Sequence, residues 1–187
     1  MKLSKNIRAR LGQLQFKKEL KRVKSEREII GFDEAVRIGL LYDATNEENS
    51  ETMKNYVKYL RSNFKKDVLA MGFVDKKELP QSQFAQYGLD FFTKKDLNFK
   101  MIPVNPIVDN FIREKFDILV NLNSGKCFPL RYISAMSHAR FRVGRYAKTN
   151  TDCYDMMVKM QGEPPLKTVI DEIEHFLKLL KKNSDES

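Results

Sequence analysis

Val36-Arg37-Ile38-Gly39-Leu40-Leu41-Tyr42 is an almost unbroken apolar run that stops at Asp43. A strand with one wet face alternates polar and apolar residues, whereas a strand covered on both faces reads as a continuous apolar run. The run therefore predicts a buried central strand. Thr45 and Glu48 follow at capping-box spacing, and Met53, Tyr56, Val57 and Leu60 recur at helical spacing, so a helix is expected through about Phe64. A second apolar run, Asp67–Val74, comes next. Strand, helix and strand in succession form a βαβ unit, which implies a parallel sheet with right-handed crossovers.

The same rhythm continues to the C-terminus. Further strands are expected at Leu89–Thr93, Phe116–Leu122, Arg140–Val143 and Asp155–Lys159. Helices are expected at Pro106–Lys115, Pro129–Ser137 and from Pro164-Pro165 to near Lys182, with a short helix or loop around Pro80–Tyr87. The last helix has an apolar stripe of Val169, Ile170, Ile173, Phe176, Leu177 and Leu180. The reading is an α/β, Rossmann-like three-layer domain with a mostly parallel sheet over residues 31–182. A polar tail, 183–187, should be disordered.

Residues 1–30 read differently. Leu3, Ile7, Leu11 and Leu14 form one narrow helical stripe, and Phe16, Leu20 and Val23 form a second. The segment predicts one or two amphipathic helices, with Gly12 as a weak point and Gly31 as the terminator. Its charge sets it apart: residues 1–30 carry a net +7, residues 31–160 a net +4, and residues 161–187 a net −2. No acid occurs before Glu19. A basic arm on a nearly balanced body points to an acidic partner. The candidate contacts are Lys2, Lys5, Arg8, Arg10, Lys17, Lys18, Lys21, Arg22, Lys24 and Arg27. Such side chains neutralise phosphates and release counterions, so RNA, with ribosomal RNA foremost, is the expected partner. An acidic protein assembly and an anionic membrane surface are the alternatives. Arg140, Arg142 and Arg145 flank the expected fifth strand and would extend the basic surface.

No apolar run reaches the roughly 18–20 residues of a membrane-spanning helix, and no apolar signal core follows the basic first residues. A mitochondrial-type presequence is a weaker fit, because serine is scarce there. The two cysteines, Cys127 and Cys153, make no disulfide framework, and a reduced cytoplasmic setting is expected.

Open α/β sheets bind ligands beyond the C-terminal ends of their strands. Those ends carry Asp43 after the first strand, and Asn123, Ser124, Gly125 and Lys126 after the fourth. These five residues are the candidates for a small phosphorylated or sugar-like ligand. A nucleotide cofactor is not expected. The turn Asp43-Ala44-Thr45-Asn46-Glu47-Glu48 has no glycine to admit a pyrophosphate and carries two acids that would repel one. Ser124-Gly125-Lys126 lacks the earlier glycine of a phosphate loop. His138 and His175 have no partner at triad or metal-ligand spacing, so no catalytic residue and no metal site is assigned.

Three segments carry a resemblance. IGLLYDATNEEN at 38–49, FFTKKDLN at 91–98 and FDILVNLNSGKCFPLRYISAMSHARFRVGRY at 116–146, behind a basic leader, resemble an uncharacterised family of small bacterial α/β proteins. Asp117–Leu122 and Ala139–Gly144 are also similar to the N-terminal, Rossmann-like half of heptosyltransferase-type glycosyltransferases. The second resemblance implies the fold and carries over no catalytic residue. The transfer chemistry of that group needs a second, nucleotide-sugar-binding domain, which this chain is not expected to supply.

Overall fold

The apolar run that ends at Asp43 lies at the centre of the sheet. In a computed structural model that describes residues 5–23, 26–80, 88–124, 126–148 and 150–180, with only the backbone of Lys5, it forms β1 (Arg37–Asp43). Around it stand β2 (Asp67–Val74), β3 (Leu89–Thr93), β4 (Ile118–Asn121), β5 (Phe141–Arg145) and β6 (Met156–Val158). All pairings are parallel, and the order is β3-β2-β1-β4-β5-β6. β1 pairs with both β2 and β4, so the strand order reverses between β1 and β4. That reversal opens the crevice in which α/β folds commonly hold ligands.

Among the described residues the α-helices are α1 (Lys5–Leu20), α2 (Glu47–Phe64), α3 (Pro106–Arg113), α4 (Phe128–Met136) and α5 (Leu166–Leu179), and α2 to α5 flank the sheet. Alternate residues of β1 serve opposite faces. Ile38, Leu40 and Tyr42 pack with Met53, Val57 and Leu60 of α2 and with Val169, Ile170, Ile173 and Leu177 of α5. Leu41 joins Met71, Phe73 and Leu119 under Val108 and Phe111 of α3 and Leu130 and Ile133 of α4. This is the three-layer α/β architecture expected. Phe176, counted in the apolar stripe of the last helix, is exposed. Pro80 begins the segment expected to hold a short element, and the rest of that segment, like Lys182 and the 183–187 tail, lies outside the described residues.

α1 adds a partial fourth layer over α4. Phe16 is 4% exposed and clusters with Ala135, Cys153 and Tyr154. The helix runs unbroken through Gly12, where a Cβ would come within 2.2 Å of the Lys100 carbonyl oxygen. The glycine is thus a close-approach residue and not a weak point. The helix ends at Leu20, well before Gly31, which lies in a buried turn with the Leu180 carbonyl oxygen 2.2 Å from where its Cβ would stand. The N-cap of α2 also differs from expectation. Asn46 caps it by accepting from Asn49 N–H, while Thr45 Oγ1 accepts from Asp75 N–H and so ties the two strand ends together.

Asp117 fastens the opposite end of the sheet, where the central strands β1 and β4 begin. Its Oδ2 accepts from the Val36 and Arg37 N–H groups at 2.9 Å each, and its Oδ1 accepts from Arg140 at 3.0 Å. Burial pushes this carboxyl up, but the two backbone donors and Arg140 outweigh burial and leave it below the usual carboxylate range. A depressed folded pKa means stability that is present above the unfolded value and lost as pH falls through the folded one. Asp117→Asn should therefore lower stability at neutral pH, and its deficit should shrink below about pH 4, the ordinary Asp value. Urea melts across pH 2–7 check this.

Candidate functional site

The strand-end crevice brings Asp43, Asn123, Ser124 and Lys126 to one end of the sheet, and three of them, Asp43, Asn123 and Lys126, are engaged internally. Asp43 Oδ1 accepts from Thr45 N–H at 2.8 Å, and the Asp43 carbonyl accepts from Asn49 Nδ2. Asn121, fully buried at the end of β4, accepts from Asn123 N–H and donates to Ser134 Oγ and the Tyr154 hydroxyl. Asn123 Oδ1 accepts from Cys127 N–H. The backbone donors that an anion would need are thus partly claimed by side chains. Lys126 is exposed, and its Nζ pairs with Glu163 at 2.7 Å. Arg145 binds the other Glu163 oxygen at 3.2 Å. Lys126 therefore staples the β4–α4 turn to the loop before α5. Gly125 lies outside the described residues.

Cys127 precedes α4 at the mouth of this crevice, yet it is no thiolate at neutral pH. Burial, then the negative charges of Asp43 and Asp75, push its thiol up to about 12, against a backbone hydrogen bond from Leu130. His138 and His175 are exposed. Among the described residues, no group of three His, Cys, Asp or Glu is placed to hold a metal ion. No helix there is long and apolar enough to cross a membrane.

The basic segment sorts its side chains by helical phase. One side faces the body. Arg8 Nε donates to the Phe99 carbonyl, Arg131 Nη2 to Gln13 Oε1, Lys100 Nζ to Gln15 Oε1, and the Tyr132 hydroxyl to Glu19. Arg131 is itself buried, with its guanidinium carbon 5.2 Å from the Phe16 ring centroid and 5.6 Å from that of Phe128. The other side faces water. Arg10, Leu14, Lys17 and Lys18 follow one another at i, i+4, i+7 and i+8, and Lys21 and Arg22 continue in the turn beyond. Among the described residues these five cations make no side-chain hydrogen bond or ion pair. Of the two apolar stripes, the one with Phe16 and Leu20 docks. The other leaves Ile7 and Leu14 45% and 66% exposed.

Not every expected cation joins that face. Arg27 turns back to grip both oxygens of Asp155 at 2.8 and 2.9 Å. A groove of about 670 Å³ opens beside this pair, lined also by Arg142, Asp152 and Tyr154. Lys2, Lys24 and the Lys5 side chain lie outside the described residues. The arginines of β5 and its entry do not extend the basic surface. Arg140 pairs with Glu28 and Asp117, Arg142 is buried against α4 carbonyls, and Arg145 binds Glu163 and the Gly162 carbonyl.

No curated protein and no solved structure is matched by this chain, the heptosyltransferase-type enzymes included. The family model of a family of unknown function (DUF6913) matches residues 8–180, from the first turn of α1 to the end of α5, and the chain belongs to that family.

Proposed function

We propose that this protein binds RNA through the outward face of α1, without catalysing a reaction, while the α/β body acts as scaffold and docks to a partner. One observation carries the reading: among the described residues, Arg10, Lys17 and Lys18 stand unpaired on the exposed side of a helix whose other side is bonded to the body, and Lys21 and Arg22 stand unpaired in the turn beyond it. Surface cations ordinarily sit among acids, and here the inward-turned Arg27 does. The outward ones are left without such neutralisation. Held on a docked helix, they meet a polyanion without first ordering a flexible arm. Contacts to phosphate position a nucleic acid and do not read its sequence, so a structured RNA such as ribosomal RNA suits them. The two free cysteines suit a reducing cytoplasm, and the family resemblance suits a bacterial one. A membrane surface is the weaker reading, since Ile7 and Leu14 offer little apolar area for insertion.

A filter-binding salt titration tests this on a ribosomal RNA fragment. The variant Arg10→Glu/Lys17→Glu/Lys18→Glu/Lys21→Glu should fold normally, because all four positions are exposed. The slope of log K against log salt should become shallower by about 3, at roughly 0.7 for each single-strand phosphate no longer neutralised. An unchanged slope and affinity would sink the proposal. Flotation with anionic vesicles and no retention of RNA would move it to a lipid surface.

A further inference from the structure

We infer that Phe99 is a stacking platform for an unpaired base, so that the RNA partner presents a single-stranded segment beside α1. The inference rests on the RNA reading above and adds the kind of RNA bound. Phe99 and Lys100 occupy the apex of a tight turn, a place that usually goes to polar residues or glycine. The turn is closed by Met101 N–H donating to the Asn98 carbonyl, and Asn98 N–H donates to the Ile102 carbonyl. Asn98 Oδ1 accepts from both Lys100 and Ile102 N–H, and Met101 holds a left-handed φ of 63°. Leu97 and Pro103 bridge at its base.

The turn is also clamped to α1. Arg8 holds the Phe99 carbonyl, Gly12 admits the Lys100 carbonyl, and Lys100 Nζ reaches Gln15 at 2.6 Å. A turn so closely held fixes the backbone from which the ring projects. Nevertheless the Phe99 side chain contributes little to the core, and the residue is 53% exposed. Lys100 Nζ lies 5.3 Å from its centroid, which places a cation against the ring. An exposed aromatic ring with a cation over one face and others near by is the arrangement that holds single strands, since a base can stack on the open face while the cations follow the backbone. A duplex keeps its bases stacked within and gains nothing from such a ring. With side chains a helix is about 10–12 Å across. A short strand can therefore cross from the phosphate-binding face of α1 to Phe99.

The sequence contains no tryptophan, so Phe99→Trp installs a single fluorescent reporter at the turn. The full chain would be titrated with an unstructured RNA oligonucleotide, the blunt duplex of the same sequence, and anionic vesicles. Phe99→Ala should weaken single-strand binding between about five- and 150-fold, the range for removal of one stacked aromatic, and leave duplex binding unchanged. Phe99→Trp should restore it, with emission quenched by the single strand only. If the wild type binds RNA but Phe99→Ala binds it equally well, or the indole emission of Phe99→Trp does not change at saturation, the stacking inference falls and the α1 reading stands. If the wild type binds neither RNA, both fall. A blue shift on vesicles without any response to RNA overturns the inference in favour of lipid.

Discussion

Phe16→Ala is expected to release α1 from the body while the sheet stays folded. Truncating a buried phenylalanine costs about 3–5 kcal/mol. Here the loss falls on a docked helix that Phe16 anchors, set edge-on to Phe128 with the centroids 5.9 Å apart. The Arg131 guanidinium loses one of its two rings as well. What remains is the partly buried Leu20 and a set of hydrogen bonds through Arg8, Gln13, Gln15 and Glu19, each worth about 1 kcal/mol net, against the entropy of ordering the segment. A 16-residue helix is marginal alone in water, so once undocked it frays. Amide protection in α1 should fall by about a hundredfold or more, the equivalent of roughly 3 kcal/mol, and trypsin should cut at Arg10, Lys17 and Lys18. Amides of β1 and β2 should keep their protection. A loss of protection in α1 and the sheet together would show that the two unfold as one unit and that no boundary falls near Gly31. The released cations remain on the chain but lose their fixed spacing. RNA affinity should therefore fall less than in the fourfold charge reversal.

The part of this molecule legible in the sequence is the part decided locally. β2 and β3 begin and end at the residues expected, because a strand covered on both faces needs an apolar residue at nearly every position, whatever packs on it. Strand order was not legible. The alternation of strands and helices implies parallel pairing, but nothing within a βαβ repeat says that β4 lies on the far side of β1 from β2. The partners of the candidate residues were not legible for the same reason. Lys126 looks like an anion ligand until Glu163, distant in sequence, takes its charge. Arg140, Arg142 and Arg145 look like surface until the fold supplies Glu28, Asp117, the α4 carbonyls and Glu163. Both stripes of α1 have helical spacing, and only the docked arrangement shows that Phe16 faces in and Leu14 faces out. Phe99 left no sequence signal beyond an aromatic residue among lysines. Its significance comes from the turn that holds it and from the side of α1 on which that turn sits.

Arg142→Met should cost about 3 kcal/mol, within the range for charged hydrogen bonds whose partners are left buried and unpaired. Arg142 is 4% exposed. Its Nη1 donates to the Ser134 carbonyl at 3.2 Å and the Ala135 carbonyl at 2.7 Å, and so caps the C-terminal turn of α4 from within the sheet. Those carbonyls are among the last four of the helix, which have no acceptor role inside it. Methionine preserves the length and apolar stem of arginine but supplies no donor, so both oxygens lose this buried partner. The nearby carboxylate contributes little to the cost. Asp155 Oδ2 is 3.9 Å from Arg142 Nε, and Asp155 is served mainly by Arg27 and by the Arg142 backbone N–H at 2.7 Å. The comparison with Arg27→Met separates the two roles. Arg27 is more exposed, and its loss should cost no more than about 1 kcal/mol. Burial raises the Asp155 carboxyl and Arg27 lowers it, so removing Arg27 raises it further. That penalty weighs on the charged form only and should fade as acid protonates Asp155. The Arg142→Met deficit should stay level over the same range, because the helix carbonyls it strands do not titrate. Urea melts of both variants at pH 7 and pH 4 would show the difference. A deficit for Arg142→Met that vanished in acid would assign Arg142 to Asp155 and not to the end of α4.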